Sequence, residues 1–188
     1  MLFFRAGLII LFLVRPYHLL PQASSTSSLT THLNRAVTLD LVALPGSPTL
    51  WMGRTPVTIG QFRAFVEATG YRTDAESTTG QGPGHVGGHG WDAKRHRFDG
   101  WWPQYAWRYT GWTLTDEHPA SNISWNDASA FCKWLGAKSG RQVRLPTHAE
   151  WVRATQAGAA TVYFTGDSPA SLEGYANVAD RCAATNSR

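Results

Sequence analysis

The chain has 188 residues, of which 43% are hydrophobic and 16% charged, a balance that excludes a disordered protein. With 2 cysteines it cannot be a disulfide-stapled miniprotein. The 17 Lys and Arg against 13 Asp and Glu leave a net charge of +4, spread thinly except at Lys94, Arg95, His96 and Arg97, which argues against a nucleic-acid partner.

Residues 6–14 form an unbroken apolar run behind a start with one cation. The run is too short to cross a bilayer as a relaxed helix, so no stable membrane span is expected. It reads as the core of a secretory signal over residues 1–25, with Gln22-Ala23-Ser24-Ser25 supplying small residues for cleavage, and the protein is expected to be exported to the periplasm or beyond. Residues 26–36, rich in Ser and Thr, read as a linker. The folded part is expected over residues 37–188. It opens with a strand near residues 37–42, and Pro45-Gly46-Ser47-Pro48 then turns the chain toward Leu50-Trp51-Met52.

Three helix starts follow. Thr58 with Gln61, Ser124 with Asp127 and Thr147 with Glu150 each place a hydroxyl side chain before a helix, with an acid or amide three residues on to reciprocate. The first helix is expected to run to about Ala68 and stop at Gly70, with Phe62, Phe65 and Val66 on one face. The second carries Ala128, Phe131, Cys132 and Leu135 at helical spacing, and the third runs from His148 to about Ala157, stopping at Gly158.

Between the first two helices, residues 73–119 show no sustained periodicity and hold Trp91, Trp101, Trp102, Trp107 and Trp112. Such a segment argues for a loop-rich fold in which indole rings fill the core, with ligand stacking as the alternative use. His85 and His89 have the spacing of a metal pair, but the glycines around them argue against a helix and leave a solvated loop. No phosphate-binding Gly-Lys-Ser, hydrolase elbow or dinucleotide fingerprint is present. Cys132 reads as a buried, inert thiol; its distance from Cys182 is not set by spacing, so pairing of the two stays open.

Two blocks are more specific. Val57-Thr58, Gln61-Phe62 and the run from Phe65 through Thr69-Gly70-Tyr71 to Asp74-Ala75-Glu76 form the first. His118-Pro119, Asn122-Ile123-Ser124-Trp125-Asn126-Asp127-Ala128, Phe131-Cys132-Lys133-Trp134 and Arg144-Leu145-Pro146-Thr147, leading to Glu150-Trp151, form the second. Together they resemble the formylglycine-generating enzyme, or sulfatase-modifying factor, family over about residues 57–180. The resemblance implies a loop-rich α+β fold of the C-type-lectin-like kind, incomplete at its C-terminal end, with about three short helices.

It also implies a function. Family members oxidise a cysteine in a sulfatase's Cys-x-Pro/Ala-x-Arg motif to formylglycine, with O2 and a copper(I) ion held by two cysteines, a soft ligand pair suited to that ion. The family's cysteine pair lies beyond the point matched by Arg188, so the resemblance implies copper only for the family and expects this chain, as a front portion of the domain, to be inactive alone. Cys132 matches a structural cysteine. Ala75 falls at a position lining the family's substrate groove, and Asn177 with the Val178 carbonyl matches part of a calcium site, whose oxygen donors suit that cation. The expected partner is a sulfatase polypeptide. The alternatives are a non-catalytic lectin-like module that binds a protein or glycan, and a truncated gene remnant.

Overall fold

The computed structural model describes residues 13–15, 28–44, 46–47, 49–77 and 87–175. Strands β1 (Leu13–Arg15), β2 (Ser28–His32), β3 (Thr38–Ala43) and β4 (Trp51–Gly53) precede helix α1 (Ile59–Thr69). Strands β5 (Gly88–Asp92) and β6 (Arg97–Trp102) follow, and then helix α2 (Trp125–Ser139), strand β7 (Gln142–Arg144) and helix α3 (His148–Gln156). The result is a mixed α+β fold with the three expected helices. A 3-10 turn at Pro169–Leu172 ends the described elements. Among the described residues, no helix is long and apolar enough to cross a membrane.

Five strands pair antiparallel in the order β2-β3-β4-β1-β7. The stretch expected to be a linker is corrected here, because residues 28–32 pair along their whole length with residues 38–42. The composition misleads since Thr, though polar, is β-branched and suits a pleated surface. Leu29, Thr31 and Leu33 also recur at the period of two that turns one face inward, and Thr31 and Leu33 are buried. β1, drawn from the stretch read as a secretory signal, bridges β4 and β7.

All three helices begin where the sequence places them, and for the stated reason. Thr58, Ser124 and Thr147 accept from the amides of Gln61, Asp127 and Glu150, and the side chains of those residues accept from the cap amides in return. Each cap is worth about 1 kcal/mol. α1 and α2 end at Gly70 and Gly140 in the left-handed conformation, which glycine adopts without strain. At α3 that place is taken by Ala157, with Gly158 one residue later.

The segment without periodicity contains a hairpin, a second correction. β5 and β6 pair antiparallel with an irregularity between Gly90 and Trp91. Glycine hid the strand from a propensity reading, yet the packing needs it there. A methyl group at Gly90 would run into the ring of Tyr105, and one at Gly88 into the Asn122 side chain. Trp91, next to last on β5, is buried under its neighbours, and so is Trp107, whereas Trp101, Trp102 and Trp112 are exposed. Two of the five indoles therefore fill the core and three do not.

The main core lies between the sheet and helices α1 and α2. Leu39 and Leu41 of β3, Phe62 and Phe65 of α1, and Phe131 and Leu135 of α2 are all buried. Phe62 sits at its centre, with its ring 5.4 Å from Phe65, 5.2 Å from Trp107 and 6.0 Å from Phe131. A smaller cluster of Leu44, Leu50 and Met52 meets Ala154 of α3.

Candidate functional site

Ala75 is the one matched groove residue within the described part. It lies on the loop that leaves α1, half-buried, between two acids whose side chains are both engaged. Asp74 Oδ2 accepts the Ser124 hydroxyl at 2.6 Å and the Asn126 amide at 3.1 Å. Glu76 Oε2 accepts the Thr73 amide at 3.1 Å, the Thr73 hydroxyl at 3.0 Å and the Trp107 indole N–H at 3.3 Å. The Arg108 guanidinium stacks 4.2 Å over the Trp107 ring and lies 3.5 Å from the other Glu76 oxygen.

The opposite side of this loop is pinned by Asp127, which is fully buried at the start of α2. Its Oδ1 accepts the Tyr71 hydroxyl at 3.0 Å and the Asp74 amide at 3.1 Å, while Oδ2 accepts the Ser124 amide at 2.8 Å. One carboxylate thus caps its own helix and holds the Ala75 loop. Burial pushes the Asp127 carboxyl above its ordinary range, against the pull of its hydrogen bonds from the Ser124 and Asp74 amides and from Tyr71. Burial, with the Asp127 charge beside it, likewise keeps the Tyr71 hydroxyl protonated well above its usual range. Every buried side-chain nitrogen and oxygen among the described residues has a partner. Such a site can present a fixed surface to a peptide, but it offers no free nucleophile or base.

Ala75 lies on a formed loop, and Asp127, Tyr71 and Glu76 as the supports of that loop were missed in the sequence. A signal existed for the first of these, because Asp127 already stood out as the reciprocal partner in a helix cap. Nothing local to Tyr71 or Glu76 tells which carboxylate or indole they meet 56 or 31 residues away.

Of the other expected residues, the described ones, His89 and Cys132, are not brought to this place. Asn177, Val178, Cys182 and His85 lie outside the described residues. His89 is exposed on β5, beside the rings of Phe98 and Trp101. Cys132 is a free thiol, buried on the core face of α2, and burial pushes it up to about 12. A copper(I) ion needs thiolates that converge in an accessible place, so the described residues do not fit it. Among those residues no three His, Cys, Asp or Glu side chains converge on one point either.

The Sulfatase-modifying factor enzyme 1-like domain matches residues 44–186. The chain is 35% identical over 127 residues to the formylglycine-generating enzyme of Thermomonospora curvata, a match that takes in 56% of this chain and 36% of the relative. It is 36% identical over 117 residues to the enzyme of that name from Streptomyces coelicolor, covering 56% of this chain and 35% of the relative. It is also 31% identical over 125 residues to the inactive Cα-formylglycine-generating enzyme 2 of Mus musculus, covering 55% and 35% of the two. These matches span about a third of the length of the curated relatives. No solved structure gives a significant match. With about three quarters of its residues inside the family match, the chain belongs to the sulfatase-modifying factor (formylglycine-generating enzyme) family.

Proposed function

We propose that this chain supplies the substrate-groove side of a formylglycine-generating oxidase, that its partner is a sulfatase polypeptide, and that residues 1–188 do not perform the oxidation alone. The observation that carries the reading is the Ala75 loop, whose flanking acids are both spent on holding it against α2 and Trp107. A loop fixed in advance loses little entropy when a peptide settles on it. The buried Cys132 supports the second half of the reading, since a thiol inside the core cannot join another in holding an ion.

The test is direct. The purified chain is incubated with copper(I), O2 and a peptide bearing Cys-x-Pro-x-Arg, and the product is examined by mass spectrometry. No aldehyde is expected, and turnover would overturn the claim of inactivity. Fluorescence anisotropy of the same labelled peptide reads the groove: Ala75→Arg should weaken binding, and an unchanged affinity would remove Ala75 from the groove.

A second reading, a non-catalytic binding module, is favoured by the likeness to a relative whose own name calls it inactive. It keeps the groove and dispenses with the oxidation. Export is part of either proposal, supported by the apolar run at residues 6–14. N-terminal sequencing of the mature protein tests it. A start near Ser24 would also remove β1, leaving β4 and β7 without the strand that joins them. The calcium proposed for Asn177 and Val178 has no described geometry behind it and supports no step here.

A further inference from the structure

The β5–β6 hairpin has two unlike faces. One packs on the body of the protein, with Tyr105 lying against Gly90 and Asn122 against Gly88. The cross-strand pairs His89 with Trp101 and Trp91 with Phe98 share the other: His89 and Trp91 are two residues apart on β5, and the register shift opposite Gly90 and Trp91 brings Phe98 and Trp101, three apart on β6, to the same side. Their rings make a continuous strip. Trp101 is 6.1 Å from His89, His89 is 5.3 Å from Phe98, Phe98 is 5.4 Å from Trp91, and Trp112 stacks on Trp91 at 4.7 Å. Phe98 is 64% exposed, Trp112 46% and Trp101 44%, while Trp91 lies buried beneath Phe98 and Trp112, so the outer rings of the strip are open to water. An apolar outer face on a two-stranded ribbon marks an interaction surface.

Charge and backbone geometry narrow the partner. The hairpin turn at the Phe98 end carries Lys94, Arg95, His96 and Arg97, all exposed. Arg95 is drawn to Asp92 and Asp99, at 3.1 and 3.8 Å. Asp92 is further occupied by the amides of Lys94 and Arg95. Lys94 and Arg97 have no acidic partner among the described residues. A second copy of the chain would bring the same cations against these, so self-pairing is disfavoured. An extended peptide is disfavoured as well, since both outer edges are in use: on β5, Asn122 bonds both the amide and the carbonyl of His89 and the Trp91 amide donates to the Thr110 carbonyl, while on β6 the Asp99 carbonyl accepts the Trp102 indole N–H and the Trp102 carbonyl accepts the Tyr105 amide. What remains is a partner that meets rings face-on and carries negative charge.

We propose that the β5–β6 hairpin binds an acidic saccharide chain, its sugar rings stacking on Trp112 and the neighbouring aromatic strip and its carboxylate or sulfate groups meeting Lys94 and Arg97. The proposal does not depend on oxidation of a sulfatase cysteine, and binding is read without turnover.

The test titrates the full chain by intrinsic tryptophan fluorescence against four probes: a heparin oligosaccharide, an oligogalacturonate, polyglutamate and single-stranded DNA. At least one acidic saccharide should bind roughly tenfold or more tightly than polyglutamate and DNA, a difference of about 1.4 kcal/mol. The heparin and galacturonate arms separate sulfate from carboxylate. Trp112→Ala should weaken saccharide binding roughly tenfold, about 1.4 kcal/mol. The double variant Lys94→Glu with Arg97→Glu should abolish it, and circular dichroism should stay unchanged in both. Should Trp112→Ala disturb the fold, Phe98→Ser at a largely exposed ring provides the same reading. Absence of saccharide binding, equal affinity for polyglutamate or DNA, or full affinity in a folded Trp112 or Phe98 variant would overturn the proposal.

Discussion

Helices α2 and α3 start with the same device and live in different surroundings. Both open on a hydroxyl cap with a reciprocal acid at the third helical position, Asp127 in one and Glu150 in the other. α2 buries Asp127, Ala128, Phe131, Cys132 and Leu135, whereas α3 buries none of its residues. The two acids accordingly move in opposite directions. Burial raises the Asp127 carboxyl, and the Arg144 guanidinium, bonded to Glu150 at 2.9 Å through two nitrogens, draws the Glu150 carboxyl down to about 2. A cap motif therefore specifies where a helix begins but not what the helix does for the fold.

The largest effect that tests this contrast is expected in the core. Phe62→Ala removes the ring that Phe65, Trp107 and Phe131 all touch and should cost about 3–5 kcal/mol in denaturant unfolding. Trp151→Ala on the open α3, 38% exposed at that ring, should cost about 1 kcal/mol or less. Equal losses at the two sites would mean that α3 shares the core after all.

Next in size is the acid of α2. Asp127→Asn substitutes an amide donor for one of two accepting oxygens, so at least one of the Tyr71 hydroxyl, Asp74 amide and Ser124 amide loses its acceptor. A loss of about 1–3 kcal/mol is expected. Hydrogen exchange of residues 71–77 should speed up with it, because that carboxylate is what ties the Ala75 loop to α2. If stability falls while exchange in the loop is unchanged, Asp127 acts on its helix alone.

The helix starts were legible in the sequence because a cap is a local matter: Thr58, Ser124 and Thr147 find their partners three residues away. Gly70 and the α1 face of Phe62, Phe65 and Val66 were readable for the same reason. The hairpin was not. Its glycines at 88 and 90 are needed because Asn122 and Tyr105 lie against them, a demand that arises only after distant segments have met. β2 was hidden by composition, and the supports of the Ala75 loop by sequence separation. The resemblance singled out Ala75 as a groove candidate from its neighbours in sequence, while what fixes its loop in place comes from α2 and Trp107.

The smallest effect concerns the acid of α3. Thr147→Ala removes the hydroxyl that caps the Glu150 amide and should cost about 1 kcal/mol, confined to α3. The Arg144–Glu150 pair adds less, about 0.5 kcal/mol, because Arg144 is half exposed and the pair is screened by salt. Its pH dependence has a definite sign. The folded carboxyl titrates below its unfolded value of 4.5, so the pair's contribution is fully present above that value and is lost as pH falls from about 4.5 through about 2. Asp127 runs the other way: with its folded value raised above 3.8, the stability attached to its protonated form is present below 3.8 and is lost as pH rises through the folded value. Carboxyl NMR titration should thus find Asp127 taking up its proton before Glu150 on acidification. Arg144→Met should return Glu150 toward its ordinary range and leave Asp127 where it was, since no contact joins the two acids. A shift of both together would mean that α2 and α3 are coupled through more than the strand between them.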